Sequence, residues 1–257
     1  MQTYQFDKLI VKKADSRAEM GKTAASDCAE VLRKLLGEKE TVSMIFAAAP
    51  SQNETLDALI AEPGIDWTRV TAFHMDEYVG LANDHPQSFG TYLREHIFSR
   101  LPFGKIHYIR GDAEDSREEC ARYSALLTEN PPDIVCMGIG ENGHIAFNDP
   151  HVADFQDPAA VKVVDLDDVC RMQQVHDGCF ASLDLVPKYA MTLTVPTLAG
   201  AAYQFCVVPA STKAWAVRET ICSKIGKHCP ATILRRLDNA IMYVDEDSAA
   251  LITEVSK

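Results

Sequence analysis

Along the chain, stretches with apolar residues at helical spacing alternate with short apolar runs closed by polar, Gly or Pro residues. Residues 15–36 place Met20, Ala24, Cys28, Val31, Leu32 and Leu35 three and four positions apart, the stripe of an amphipathic helix. TVSMIFAA at 41–48 is a continuous apolar run, the pattern of a short buried strand. The same reasoning predicts helices over 52–61, 88–98, 114–128 and 211–223, and strands over 69–74, 133–138, 160–164, 190–195, 203–208 and 240–244. Strands that alternate with helices pair in parallel through crossovers. The pattern therefore predicts an α/β fold, Rossmann-like: a single domain over 1–257 with a doubly wound, mostly parallel sheet and helices on both faces. Residues 149–187 are the least regular, rich in Asp, and fit an inserted lid, a long active-site loop or an ordinary loop.

In open α/β sheets, ligands bind beyond the carboxyl ends of the strands. That directs attention to AAPSQN at 48–53, MDEYVGL at 75–81, GIGENGHIAFNDP at 138–150, VPTLAG at 195–200 and VPASTKA at 208–214. Gly138, Gly140 and Gly143 match G-x-G-x-x-G as a bare pattern. A dinucleotide site would need a helix after the last glycine, and Pro150 breaks that run. His144 follows the glycines with Asp149 five residues on, a general acid/base and a carboxylate to orient it; an ordinary turn histidine has the same look. Asp76 and Glu77 are adjacent at a strand end, so only one of them faces a given pocket, where it would serve as a base; a solvated acidic turn is the plain alternative. His74, flanked by an aromatic residue, reads as structural. Lys213 begins an apparent helix that Ser211 or Thr212 would cap, an anion site or a simple exposed lysine. Ser51 or Asn53 would likewise cap the helix after AAPSQN. Arg171, Gln173, Gln174 and His176 form a polar cluster of the kind usually found on a surface.

Charge and cysteine usage narrow the partners. There are 25 basic and 37 acidic residues, a net charge of -12, which argues against nucleic acid or an anionic membrane as partner but not against a small anion in a local pocket. No apolar run is long enough for a transmembrane helix, and the N-terminus lacks the order of a secretory signal. The eight cysteines include no C-x-x-C pair and sit mostly in apolar segments, the usage of a reduced, cytoplasmic protein. Neither they nor the histidines show metal-ligand spacing.

Two long motifs carry a resemblance. Phe73-His74-Met75-Asp76-Glu77-Tyr78-Val79-Gly80-Leu81 is close to F-N-M-D-E-Y-V-G-L, and Gly138 to Pro150 is close to G-x-G-x-D-G-H-I-A-F-N-E-P. VPKYAMTLT at 186–194 and CPATILRRLDNAIMYVDEDSA at 229–249 extend the likeness from about residue 41 to the C-terminus. In these motifs the chain resembles the glucosamine-6-phosphate deaminase (isomerase) family, within the superfamily that includes 6-phosphogluconolactonases. Phe147-Asn148 favours the deaminase branch. The resemblance implies conversion of an amino-sugar 6-phosphate to a ketohexose 6-phosphate and ammonia, without metal or organic cofactor. It implies Asp76 as the base between C2 and C1, His144 as the acid/base that opens the sugar ring, Asp149 as the carboxylate that orients it, and Lys213 as a phosphate ligand.

Three departures mark a divergent member. Asn142 stands where the family has Asp, which leaves a His144–Asp149 pair with a neutral third member. Ala49-Pro50-Ser51-Gln52-Asn53 replaces a Gly-Gly-Thr-like phosphate loop, so Ser51, Gln52 and Asn53, with Gly140 and Gly143, are the candidate substrate contacts. Counting back from VPKYA, the family's phosphate-binding Arg falls on Asp177, and Arg171 is the candidate substitute. A lactone hydrolase using His144 but not Asp76, and a non-catalytic sugar-phosphate sensor, are the rival readings. The sequence is silent on assembly and compatible with a homo-oligomer.

Overall fold

The computed structural model describes residues 1–252. The strands are β1 (Gln2–Phe6), β2 (Leu9–Lys13), β3 (Val42–Phe46), β4 (Val70–His74), β5 (Asp76–Tyr78), β6 (Lys105–His107), β7 (Ile134–Met137), β8 (Val161–Asp165), β9 (Tyr189–Leu193), β10 (Tyr203–Val208) and β11 (Ala240–Val244). The α-helices are α1 (Arg17–Glu38), α2 (Asn53–Ile60), α3 (Phe89–Leu93), α4 (Ser116–Glu129), α5 (Asp168–His176), α6 (Val195–Ala199) and α7 (Ala214–Cys222).

Eight strands form one sheet in the order β1-β2-β11-β10-β7-β3-β4-β6, parallel throughout except for the β1–β2 hairpin at its edge. This is the mostly parallel α/β sheet that the alternation of patterns predicts. Successive side chains of a strand point to opposite faces. Met44 and Phe46 pack with Met20, Ala24, Cys28 and Leu32 of α1, whereas Ile45, Val135 and Met137 pack with Tyr123 of α4 and Val217 of α7. Because both faces are covered, the central strands are apolar without alternation. A second, antiparallel sheet of order β5-β9-β8 stands beside the first.

Two local features differ from the pattern reading. The 88–98 helix is a single α turn, α3, that widens into a π turn over Arg94–Phe98. The irregular 149–187 stretch holds, besides the predicted strand β8, a helix, α5, which Asp167 caps by accepting from the Cys170 N–H at 2.7 Å. At the other end of the chain, Ser16 caps α1, accepting from the Glu19 N–H at 3.2 Å.

The order of strands sets where a ligand can lie. The chain runs outward from β3 through β4 to β6, then returns to lay β7 against the other side of β3. The loops after β3 and β7 therefore diverge, and the crevice between them opens at the carboxyl end of the sheet.

Candidate active site

A cleft opens at that point. Its walls come from the segments after β3 (Ala47 to Gln52), β4 (Met75 and Asp76), β7 (Gly138 to Gly140, then His144, Ala146 and Phe147) and β10 (Pro209, Ala210, Thr212 and Lys213). Residues from α3, α5 and the start of α1 complete it. Of the residues singled out from sequence, Asp76, His144, Ser51, Gln52, Gly140 and Lys213 line this one space.

The loop after β7 is built around His144. Its Nδ1 lies 2.9 Å from Asp149 Oδ1, and Asp149 is fully buried. Asn142 works on both: its Oδ1 accepts from the His144 N–H at 3.0 Å, and its Nδ2 donates to Asp149 at 2.9 Å. Burial alone would push the Asp149 carboxyl up, but contacts from His144, Asn142 and the Asp167 N–H outweigh it and hold the carboxyl below its ordinary value. Two glycines leave room for this arrangement. A Cβ on Gly140 would sit 2.2 Å from the His144 ring, and a Cβ on Gly143, at φ 80°, would sit 2.4 Å from Cys229 Sγ. Asn148 locks the turn by donating to the carbonyls of Ile145 and Leu193 at 2.9 and 2.8 Å.

Asp76 and Glu77 take opposite sides of β5, as adjacent residues of a strand must. Glu77 turns away from the cleft and accepts from the N–H groups of Tyr78, Phe89 and Gly90 at 2.9, 3.1 and 2.9 Å. Burial still raises it to about 7, these three bonds opposing the rise. Asp76 faces the cleft beside the apolar rings of Phe89 and Phe147. Burial first, and the charge of Glu77 second, push its carboxyl well above the ordinary range. A carboxylate so placed gains by taking a proton, which is the property of a base. His74 is structural. The Ile109 N–H donates to its Nε2 at 2.9 Å, so Nδ1 carries the proton and donates to the Asp76 carbonyl at 2.8 Å. Burial lowers it to about 4, leaving it neutral.

The far end of the cleft suits an anion. Lys213 is buried and its Nζ has no hydrogen-bond partner among the described residues; burial lowers its pKa against the pull of Asp177 and Glu141. A buried ammonium without a partner is costly unless a ligand supplies one. Opposite it lie Ser51 and Gln52, in the 3₁₀ turn Pro50–Gln52 that leads into α2. The Gln52 amide donates to Ser51 Oγ at 3.1 Å. Ala210 stands at φ 82° and ψ 149°, a region that costs a residue with a Cβ, and is held by its N–H donating to Asp245 at 3.0 Å.

Several expectations need correction. Arg171 does not reach the cleft: its guanidinium donates to Asp168 and to the carbonyls of Leu183 and Val186 at 3.0, 2.7 and 3.1 Å, tying α5 to the following turn. Asn53 points away, its Oδ1 accepting from the Tyr92 hydroxyl. Gly143 serves packing against Cys229, and Asn142 and Asp149 stand behind His144 rather than in the wall. Neither Ser51 nor Asn53 caps α2, and neither Ser211 nor Thr212 caps α7; both helices start from 3₁₀ turns without a side-chain cap.

The cleft also holds residues that sequence reasoning missed. Arg17, in the first turn of α1, donates to Glu54 at 2.8 Å and to the Pro50 carbonyl, and lines the wall beside Ser51. No motif marks it, because it lies far from the strand-end segments in sequence. Gln173 and Gln174 are buried at the wall rather than on the surface, and the Glu141 N–H donates to Gln173 Oε1 at 2.8 Å. Asp177 and Cys179 follow them. The fold further gathers His144, Asp149 and Cys170, with ligand-type atoms all within 4.8 Å, a grouping that sequence spacing did not reveal. Burial and the charges of Asp149 and Asp167 push the Cys170 thiol well up.

Comparison with known proteins places this geometry. The model of the glucosamine-6-phosphate isomerases/6-phosphogluconolactonase family matches residues 15–243. A glucosamine-6-phosphate deaminase of Bacillus cereus (strain B4264) is 32% identical over 246 residues, covering 96% of this chain and 89% of that protein. One from Listeria welshimeri is 33% identical over 216 residues, covering 84% of this chain and 89% of its own. Among solved structures, a monomeric glucosamine-6-phosphate deaminase superimposes with a TM-score of 0.85 at 27% identity, over 94% of this chain and 99% of its own. A 6-phosphogluconolactonase from Thermotoga maritima shares the fold, with a TM-score of 0.74 at 19% identity over 93% of this chain and 100% of its own. Among the described residues, no helix is long and apolar enough to cross a membrane. The chain is thus an enzyme that belongs to the family of glucosamine-6-phosphate isomerases and 6-phosphogluconolactonases.

Proposed function

We propose that this enzyme isomerises and deaminates a 2-amino-2-deoxyhexose 6-phosphate, yielding a ketohexose 6-phosphate and ammonia. The observation that carries the reading is the Asp76 carboxyl. It faces the cleft, its ordinary acidity is suppressed by burial, and it shares the space with His144 and an unpartnered Lys213.

The chemistry assigns each group a place. Lys213 binds the substrate phosphate, with Ser51, Gln52 and Arg17 at the same end of the cleft. His144 protonates the ring oxygen as the C1 hydroxyl loses its proton, which opens the ring to the aldehyde. Asp149 and Asn142 orient that imidazole. Asp76 takes the proton from C2, giving an enol-amine, and returns it to C1, leaving an imine at C2. Water adds to the imine carbon and ammonia departs. A lactone hydrolase requires His144 to activate water but has no use for a carbon base, so a raised, cleft-facing Asp76 favours the deaminase.

The test is ammonia release from glucosamine, galactosamine and mannosamine 6-phosphates, with 6-phosphogluconolactone as the control substrate. We expect release from one epimer, lost in Asp76→Asn and in His144→Gln. Lactone turnover that survives Asp76→Asn, with no ammonia from any epimer, would overturn the reading in favour of the hydrolase. A rise in melting temperature with each amino-sugar phosphate, but no turnover of any of them or of the lactone, would leave a binding protein.

A further inference from the structure

Behind β5, on the side that Glu77 faces, lies a second cavity of about 400 Å³. Its floor is Glu77 and Gly90; a Cβ on Gly90 would come within 3.2 Å of the Tyr108 ring and 3.6 Å of Glu77 Oε2. Around the rim stand three arginines, from α3 and its π turn (Arg94), the segment after β6 (Arg110) and α4 (Arg122). They are not equivalent. Arg122 is held in place and neutralised, donating from Nε to Glu119 Oε2 at 2.7 Å and from Nη2 to the Tyr108 carbonyl at 2.8 Å. Among the described residues the Arg94 guanidinium donates only to the Thr91 hydroxyl, at 2.8 Å. The Arg110 side chain has no hydrogen-bond or ion-pair partner among the described residues, while its N–H donates to Glu119 at 2.8 Å.

Two guanidinium groups without carboxylate partners thus converge on one cavity of a chain whose net charge is -12. Elsewhere in the fold six arginines pair with a carboxylate, Arg69 donates to backbone carbonyls, and among the described residues Arg117 and Arg236 have no ion-pair partner; only Arg94 and Arg110 are unpaired guanidinium groups that share a cavity with each other. His107 also lines the cavity, and its buried Nε2 lacks a partner among the described residues. A concave space of this size takes a small metabolite rather than a chain segment. Planar guanidinium forks match the oxygens of a tetrahedral phosphate, which accepts from several donors at once.

We propose that this cavity is a second binding site, separate from the catalytic cleft, for a small phosphate-bearing anion held by Arg94 and Arg110 with Arg122 as the fixed wall. The site stands on its own geometry and does not depend on the deaminase reading. It lies one residue from the cleft along the chain, because Glu77 forms its floor and Asp76 faces the other way.

Calorimetric titration of the full chain decides it, at ~0.15 M ionic strength, where exposed charges are screened beyond about 8 Å. The probes are inorganic phosphate and glucose 6-phosphate, which lacks the amino group. Lys213→Met removes the buried cation of the catalytic cleft; because Arg17 remains there, the second cavity is read from the binding that Arg110→Ala takes away. We expect Lys213→Met to retain one phosphate-dependent site. Arg110→Ala in that background should weaken it about tenfold, the scale of one charge-assisted hydrogen bond, and Arg94→Ala with Arg110→Ala should abolish it. Binding of the ion alone would make it a phosphate site, and tighter binding of the sugar phosphate a metabolite site. Should the double variant melt well below the parent, Arg110→Ala alone decides, since that side chain is exposed and holds no partner. No residual binding in Lys213→Met, or residual binding that Arg110→Ala leaves unchanged, overturns the proposal.

Discussion

The two ends of the catalytic cleft are built on opposite plans. At the His144 end the groups are held by the chain itself: Asn142 holds the His144 backbone and Asp149, Asp149 Oδ1 lies 2.9 Å from the imidazole Nδ1, and Asn148 donates to the turn beneath. At the Lys213 end the ammonium is buried and unpartnered, and Ala210 keeps a backbone conformation that costs energy. The first end is fixed in place before substrate arrives, which is what proton transfer at a fixed distance requires. The second is incomplete, and a phosphate would supply the missing charge and acceptors. Asp76 lies between these plans, placed by its strand but made reactive by having no partner.

The largest effect that would break this comparison is at Asp76. Asp76→Asn should reduce ammonia release by about 10²–10⁴-fold, the usual share of a general base. It should also raise the melting temperature by ~2 °C or more, because a carboxyl whose pKa folding raises destabilises the fold above its unfolded pKa. Lost activity with a lowered melting temperature would show Asp76 to be structural instead.

At the open end, Lys213→Met should raise KM by roughly 10- to 100-fold with kcat changed far less, since the phosphate is remote from the reacting carbons. Without ligand the variant should melt no lower than the parent, as it removes a buried charge with no partner. Steady-state kinetics and a melting curve without substrate check both.

At the closed end, Asn142→Asp restores the residue that the family motif carries, yet we expect it to be harmful here. Asn142 Nδ2 donates to Asp149 at 2.9 Å and to Asp167 at 3.4 Å, so the substitution would gather three carboxylates and remove their shared donor. The cost should be about 1–3 kcal/mol at neutral pH. The pH dependence follows from Asp149, whose folded pKa is depressed. Its stabilisation is present above its unfolded value of about 4 and is lost as pH falls through the folded one. The deficit of Asn142→Asp should therefore shrink as acid protonates the cluster below about pH 4, and denaturant melts at pH 7 and about pH 3 would show it. The smallest effect is at Ala210, where Ala210→Gly should stabilise by about 1 kcal/mol, or ~2–4 °C in melting temperature, with activity within about twofold.

Much of this architecture was legible because parallel strands buried on both faces leave short, unbroken apolar runs. β3, β4, β7, β10 and β11 were read from such runs, and α1 from its stripe of Met20, Ala24, Cys28 and Leu32. What escaped had weaker signals. β5 and β6 are three residues each, too short for a period to register. The β1–β2 hairpin turns through Asp7 at φ 52°, without the glycine or asparagine that usually marks such a turn. The 168–176 helix was missed because its inward residues, Arg171, Gln173 and Gln174, are polar; their burial is offset by hydrogen bonds and by the cleft, not by apolar packing.

The sequence by itself determined that the sheet is parallel and that chemistry gathers at its strand ends, since both follow from local patterns of burial and turn residues. It also placed Asp76 and Glu77 on opposite faces, because alternation is a property of any strand. Only the tertiary structure decided which of the two faces the cleft, through the N–H groups of Phe89 and Gly90 that claim Glu77. It alone turned Arg171 inward and brought Arg17 to the wall, and it alone brought Asp167, 25 residues on, within reach of Asn142. The reason is one of range. A hydrogen bond or a desolvated charge depends on what packs within a few ångströms, and for these residues those neighbours come from other elements of the chain.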